Sequence, residues 1–230
     1  MSRGNHIDVT MRGLAACGSV APILDVLITA WLGALDPGYS HLRQFISELG
    51  EAGRPHAGVF AAWCVLWGLL FAGFAVALRR GLGGRNGSWL GPGAVLIMAA
   101  SSIVGAFFPC DPGGTAETLS GQVHLILGGW VGTPAIILAP FLSWVGMRGR
   151  EEWRGFRALS LAAGVLLAVV AGWLAICHYG NLDRSACAVG AAQRLLLGIL
   201  YVWTEVVAVR LWRLAARERH ATDRIAPDRP

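Results

Sequence analysis

Long apolar runs alternate with short polar connectors along the whole chain. A helix that crosses a bilayer needs about 20 mostly apolar residues, because the hydrocarbon core is ~30 Å thick. Six runs reach this length, at residues 14–35, 57–78, 90–109, 122–146, 158–178 and 192–213. The pattern predicts an all-α, polytopic membrane protein with a six-helix transmembrane bundle over 14–213. Two tails flank it, 1–13 and 214–230, and we expect the second to be disordered.

Composition supports lipid as the main solvent. The 230 residues are 55% hydrophobic and 14% charged, whereas soluble domains average about 25% charged residues. The first apolar run, from Leu14, is too long for the core of a signal peptide. The chain is therefore expected to stay in the membrane, with lipids as its immediate partners.

Arginine counts predict the orientation. All nineteen basic side chains are Arg, and fifteen of them lie in the tails, in the last turn of the sixth run and in the connectors after the second and fourth runs. The other connectors and the helix ends beside them hold Arg43, Arg54, Arg184 and Arg194. The positive-inside rule then places both termini in the cytoplasm of a multi-pass protein of the inner (plasma) membrane. This distribution accounts for the net charge of +5 without a nucleic-acid partner.

The first outer connector is unusually polar. It reads "DPGYSHLRQFISELGEAGRPH" over residues 36–56. "FISELG" predicts a short amphipathic helix ended by Gly50, which would make the segment a lid over the bundle. The alternative is a solvated loop with an incidental helical turn.

Two carboxylates lie inside predicted spans, where charges are costly and commonly functional. Asp25 precedes Asp36 by eleven residues, and Glu205 follows Arg194 by eleven. Eleven residues make about three turns, so each pair shares a helix face. If the first and last helices are neighbours, an Asp36–Arg194 ion pair would lie ~16 Å above an Asp25–Glu205 pair. Two such acids can divide acid and base roles, or each can simply fix helix packing.

The remaining candidates lie near the outer face. We expect His124 to join Asp25 and Glu205 in catalysis, and we expect a substrate to contact Asp36, Glu48, Arg194, Trp203 and Tyr201. His124, His178 and Asp111 form a weak set of metal ligands, since they lie on separate elements without a local metal motif. No metal or other cofactor is therefore expected.

Outer connectors are also where a disulfide can persist. Cys110 and Cys187 lie in two of them, and we predict a bridge between these residues. Cys177 is near enough to compete, and free buried thiols are the alternative.

Several short motifs recur in order between the spans. They are "SELG" (47–50), "FPCDPG" (108–113), His124 at the start of the fourth span, and "QR" (193–194) at the start of the sixth. With these motifs the chain resembles the bacterial and archaeal membrane family called domain of unknown function 998, over about residues 14–213. The resemblance implies a six-helix membrane protein and supplies no reaction.

Three functions remain open at this point. The first is a membrane-embedded enzyme that applies acid–base chemistry to a lipid or isoprenoid-like (terpene) substrate, with a metal-dependent hydrolase as its variant. The second is a small-molecule or proton-coupled binder or transporter. The third is a structural subunit. We favour the enzyme, and the sequence specifies no oligomeric state.

The orientation is directly testable. A reporter that fluoresces only in the cytoplasm, fused after Pro230, should light up because fifteen Arg hold that side inside. An expressed but dark fusion would reverse the topology, and with it the placement of every connector.

Overall fold

A computed structural model describes residues 3–83, 89–180 and 182–225 of the chain. Side chains are described from residue 10 to residue 216, apart from positions 184 and 185. Helices and loops make up these residues, without a strand among them. The long helices are α1 (Arg3–Ala34), α2 (Ala57–Gly81), α3 (Leu90–Gly105), α4 (Leu119–Met147), α5 (Arg154–Tyr179) and α6 (Val189–Ile225).

The six helices close into a ring. Each helix packs against the next along the chain, and α6 returns to pack against α1. Helices α2 and α6 also touch across the ring, so α1, α2 and α6 form a three-helix unit. The sequence argument required α1 and α6 to be neighbours, and they are.

Five helices are long and apolar enough to cross a bilayer. They are Thr10–Ala34, Ala57–Gly81, Leu119–Met147, Glu151–Tyr179 and Val189–Ala216. The other apolar helix, α3, has 16 residues, or about 24 Å of helical rise. It ends before the predicted boundary because Phe107 and Phe108 turn away from it and Pro109 follows. The chain is thus a multi-pass helical membrane protein.

Helix α4 contains a π-helical stretch, Ile126–Gly132. Pro134 follows it, and a proline has no N–H to donate within a helix. Two hydroxyls also bind carbonyls of this stretch: Thr133 Oγ1 donates to Gly128 O at 2.9 Å, and Ser101 Oγ of α3 donates to Leu127 O. The irregular turn is therefore tied to the neighbouring helix.

Buried aromatic side chains fill the centre of the ring. Trp153, Trp203, Phe71 and Phe74 are each less than 2% exposed. The two indoles keep their polar atoms paired: Trp203 Nε1 donates to Ser160 Oγ at 3.0 Å, and Trp153 Nε1 donates to Gly81 O at 3.2 Å. Burial of a Trp N–H without such a partner would cost about 1–3 kcal/mol.

Helical structure extends into both predicted tails. Helix α1 begins at Arg3, so most of 1–13 is helical. Helix α6 continues to Ile225, so residues 214–225 are helical rather than disordered. The last five residues of the predicted tail, 226–230, lie outside the described part of the chain.

The predicted Cys110–Cys187 bridge is wrong. The structure joins Cys177 and Cys187, with their Cα atoms 6.1 Å apart. The turn between α5 and α6 brings these two together, only ten residues apart in sequence. Cys110 is instead buried beneath the first connector, where its Sγ donates to Ser47 O at 3.3 Å.

The bridge gives a labelling prediction. In protein unfolded without reductant, a maleimide mass tag should react with Cys17, Cys64 and Cys110 only, because the other two are joined. Cys187→Ser should free Cys177 and add one label, whereas Cys110→Ser should remove one. A gain of one label in Cys110→Ser would instead support a bridge between Cys110 and Cys187.

Candidate functional site: a cap above a buried carboxylate

Residues 36–56, which we call the cap, close one end of the ring. Ile46–Gly50 forms a single 3₁₀ turn, where the pattern predicted a short helix. Ile46 and Leu49 are buried, and the turn packs on α1, α2 and α6. Its conformation is fixed locally by Glu48, which is 1% exposed and accepts hydrogen bonds from Phe45 N at 2.9 Å and Gln44 Nε2 at 3.1 Å.

Arg194, in the first turns of α6, attaches this cap to the ring. Its guanidinium donates to the carbonyls of His41 (2.7 Å), Gln44 (3.3 Å) and Gly190 (3.0 Å). It also donates to Tyr39 Oη at 2.7 Å and to His41 Nδ1 at 2.9 Å. One planar group thereby reaches five acceptors, four of them in the cap, which the three donors of a lysine could not do.

The residues beside Arg194 strengthen this attachment. Gln193 Oε1 accepts from Ile46 N at 2.6 Å, and the amide of Gly190 donates to Leu42 O at 3.0 Å. A Cβ at Gly190 would lie 2.3 Å from Gln44 O, so only glycine permits this approach. The "QR" motif and the residues around it thus hold the first connector.

The charges of the cap pair differently from our prediction. Asp36 binds Arg54 rather than Arg194, and Arg54 Nε also binds Glu51 at 2.9 Å. Glu48 is occupied by the two cap donors described above rather than by Arg194 or His124. The expected Asp36–Arg194 pair was wrong because Arg194 faces cap carbonyls, while the turn at residues 51–54 brings Arg54 back over Asp36.

The segment between α3 and α4, residues 106–118, packs against the cap, and we call it the second connector. Ala52 N donates to Cys110 O at 3.1 Å, and Gly113 N donates to Glu51 Oε1 at 2.8 Å. His124 lies behind this connector with its Nδ1 2.9 Å from Phe108 O. The "SELG", "FPCDPG" and "QR" motifs, with His124, therefore meet as one hydrogen-bonded assembly.

Proton affinities at this end follow from these contacts. Burial and then the nearby Arg194 charge lower the pKa of His41, which fits a neutral ring whose Nδ1 accepts from Arg194. Burial raises the pKa of Cys110 to about 12, so it remains a thiol. Hydrogen bonds from the side chain and amide of Thr118 lower the pKa of Asp111, and Glu117 N donates to it as well.

Asp25 lies deeper, within the unit of α1, α2 and α6, and is 7% exposed. Its carboxylate accepts from Trp63 Nε1 at 2.7 Å and from Tyr201 Oη at 2.8 Å. Trp67 Nε1 donates to Tyr201 Oη at 3.1 Å, one turn along α2. The three helices thus share one buried polar network built around a single carboxylate.

Glu205 is not one of the partners of Asp25. It lies one turn beyond Tyr201 on α6 and is half-buried, and within the described residues no hydrogen bond joins it to Asp25. Trp203 faces Ser160 of α5 and is 1% exposed. Of the residues predicted on α6, the structure therefore brings Tyr201 to Asp25, while Glu205 and Trp203 point elsewhere.

The inner side of the cap forms an apolar layer over Asp25. Tyr39, Ile46 and Leu49 of the cap make one buried cluster there with Leu32 of α1 and Phe60 of α2. His124 belongs to the far side of the ring, since α4 packs on α3 and α5. The predicted catalytic set of Asp25, Glu205 and His124 is therefore not assembled in this structure.

The weak metal set is not assembled either. Asp111 is used by the amides of Glu117 and Thr118 and by the Thr118 hydroxyl. His178 is exposed, with its ring 4.8 Å from that of Tyr179. Within the described residues, no three His, Cys, Asp or Glu side chains are placed to hold one metal ion.

Sequence reasoning missed Trp63 and Trp67 of the Asp25 network, and it missed Tyr39, whose hydroxyl accepts from Arg194. Trp63 and Trp67 are four residues apart on α2, which places both on one face. That spacing, in a helix beside an intramembrane acid, was an available signal. Tyr39 had none, because its contact with Arg194 depends on the path of the cap.

Together, the ring of apolar helices and the closed polar cap define a multi-pass helical membrane protein. The family model described as Protein of unknown function (DUF998) matches residues 19–210. The chain belongs to this family, as its motifs indicated. No curated protein and no solved structure matches it.

The Arg54–Asp36 ion pair predicts which double mutant regains stability. Arg54→Ala strands the partly buried Asp36, so adding Asp36→Asn should recover about 1 kcal/mol of unfolding free energy. Arg194→Ala should cost about 3 kcal/mol because several carbonyls lose their donor.

The control is the same rescue applied to Arg194. Asp36→Asn should restore nothing to Arg194→Ala in SDS unfolding from mixed micelles. Rescue of Arg194→Ala, with none of Arg54→Ala, would contradict the pairing.

Proposed function

We propose that the chain crosses the inner (plasma) membrane six times with both termini in the cytoplasm. Three Arg–Trp stacks support this orientation, since Trp favours a membrane interface and Arg favours the cytoplasmic side. They are Arg12 on Trp212, Arg79 on Trp89 and Arg148 on Trp144, all at the end opposite the cap. The Cys177–Cys187 bridge at the cap end suits an oxidising, extracytoplasmic side. Helix α3 completes the sixth crossing because it packs between α2 and α4.

Within that topology, the chain acts as a membrane-embedded enzyme of acid–base type on a lipid or isoprenoid-like substrate. The observation that carries this proposal is Asp25, a carboxylate in the middle of a span that is held by two neutral donors. Both donors are neutral, and a carboxylate held in this way can take up and release a proton. Tyr201, at 2.8 Å, is the neighbouring group that can share that proton. The pair Asp25–Tyr201 replaces the acid pair with Glu205.

The route by which a substrate can reach Asp25 indicates the class of that substrate. The cap and the apolar cluster beneath it lie between Asp25 and water at that end. On either side of Asp25 along α1, the side chains of Ile23, Val26 and Leu27 are 58–59% exposed and face the bilayer. A hydrophobic molecule therefore reaches Asp25 more readily from the lipid than from water.

A second function, proton-coupled binding or transport, is favoured by one observation. Within the described residues, Asp25 forms no ion pair with a cationic side chain. A carboxylate at this depth without a cation gains most from binding a proton or a cationic ligand. Proton-driven uptake into vesicles separates this function from the enzyme.

Asp25→Asn tests the proposal. In nanodiscs supplied with isoprenoid diphosphates or host lipid extract, wild-type protein should convert one component, as seen by mass spectrometry. The variant should be slower by about 10²-fold or more, because a general base contributes roughly that factor. Asparagine keeps an acceptor for Trp63, so the fold should persist.

Glu205→Gln is the matched control, an intramembrane acid of the same bundle outside the network. It should turn over like the wild type. Full turnover by Asp25→Asn would reduce Asp25 to a packing residue, and uptake without conversion would replace the enzyme with the transporter.

A further inference from the structure

A second site lies at the end of the bundle opposite the cap. A cleft with a volume of about 210 Å³ opens between the last turns of α2 and the first turns of α3. Its walls combine apolar and cationic side chains, principally Val76, Arg79, Arg80, Trp89, Pro92 and Leu96. It is separate from the Asp25 network.

Arg79 is held at the mouth of this cleft in a fixed pose. Its guanidinium stacks 4.4 Å from the centre of the Trp89 ring. Its Nη1 donates to Gly83 O at 2.6 Å, which ties it to the end of α2. Its Nε is buried and, within the described residues, has no acceptor. The side chain is thus preorganised with one donor left over.

Within the described residues, no carboxylate balances the positive charge of the cleft, since none lies within 4.0 Å of Arg79 or Arg80. Two acids at this end whose side chains are described, Glu151 and Glu152, pair with Arg154 and Arg150 respectively. The N-terminus of α3, which starts beside Trp89, adds the positive end of a helix dipole.

We propose that this cleft binds an anionic glycerophospholipid of the bilayer. The phosphate lies against Arg79 and Arg80, and one acyl chain follows Val76, Pro92 and Leu96 toward the membrane centre. Charge complementarity selects the head group, because two unpaired guanidiniums and a helix N-terminus converge there. The apolar wall selects a lipid over a free phosphate, which would leave that surface empty. Trp89, 60% exposed, is placed at the head-group level.

Native mass spectrometry in detergent measures this binding. Phosphatidylglycerol and phosphatidylethanolamine with identical acyl chains are titrated onto the full-length protein. Phosphatidylglycerol should bind with at least about tenfold higher affinity. Arg79→Gln combined with Arg80→Gln should abolish that preference, since each basic residue contributes about 1 kcal/mol near an anionic lipid.

Two further variants separate the cleft from charge alone. Arg148→Gln removes an equivalent Arg stacked on a Trp, Trp144, elsewhere at this end, and it should leave the preference unchanged. Leu96→Trp fills the cleft with both charges intact, and it should weaken phosphatidylglycerol binding at least fivefold. Unchanged melting temperatures confirm that each variant is folded.

Three results would overturn the proposal. They are equal binding of the two lipids by wild type, an equal loss in Arg148→Gln, or full competition by inorganic phosphate, which would assign a bare anion site.

Discussion

The guanidinium of Arg194 joins the first connector to the last helix. It donates to three carbonyls, a phenol and an imidazole, and four of these five acceptors belong to the cap. The cap itself carries little regular structure, only the turn Ile46–Gly50, so its backbone groups need partners from elsewhere. Arg194 supplies them from a rigid helix, and the cap can then cover the apolar cluster that seals Asp25 from that end.

This arrangement explains why the "SELG", "FPCDPG" and "QR" motifs are gathered at one end. The cap binds α6 through Arg194 and Gln193, and it binds the second connector through Cys110 and Glu51. A closed, hydrogen-bonded end lets the interior below hold the buried carboxylate of Asp25 in a low-dielectric setting. The opposite end is built from Arg–Trp stacks, which suit a lipid interface rather than a lid. One end of the ring is thus closed by a hydrogen-bonded cap, and the other end presents an interfacial surface of Arg and Trp side chains.

Much of the fold could be predicted from the sequence, because transmembrane helices are a consequence of length and apolarity alone. The short helical turn at "SELG" was also predictable from the pattern, whereas the contact between α1 and α6 entered only as a condition. Individual pairings were not. Asp36 and Arg194 share a depth, yet the path of the cap backbone gives Asp36 to Arg54. Cys187 pairs with Cys177 because of a turn whose geometry no spacing rule fixes. The sequence identified Asp25 as a charge that is costly to bury in a membrane. Its partner depends on the rotation of α6 about its axis, which places Tyr201 rather than Glu205 against it.

Hydrogen–deuterium exchange of the cap tests the central claim most directly. Arg194→Lys retains the charge but loses the fork that reaches several acceptors, and Arg43→Lys changes an exposed Arg of the same segment. We predict that the amides of Ile46–Gly50 exchange at least about tenfold faster in Arg194→Lys, while Arg43→Lys matches the wild type. Unchanged protection in Arg194→Lys would mean that the cap is held by its apolar contacts and that Arg194 is not its anchor.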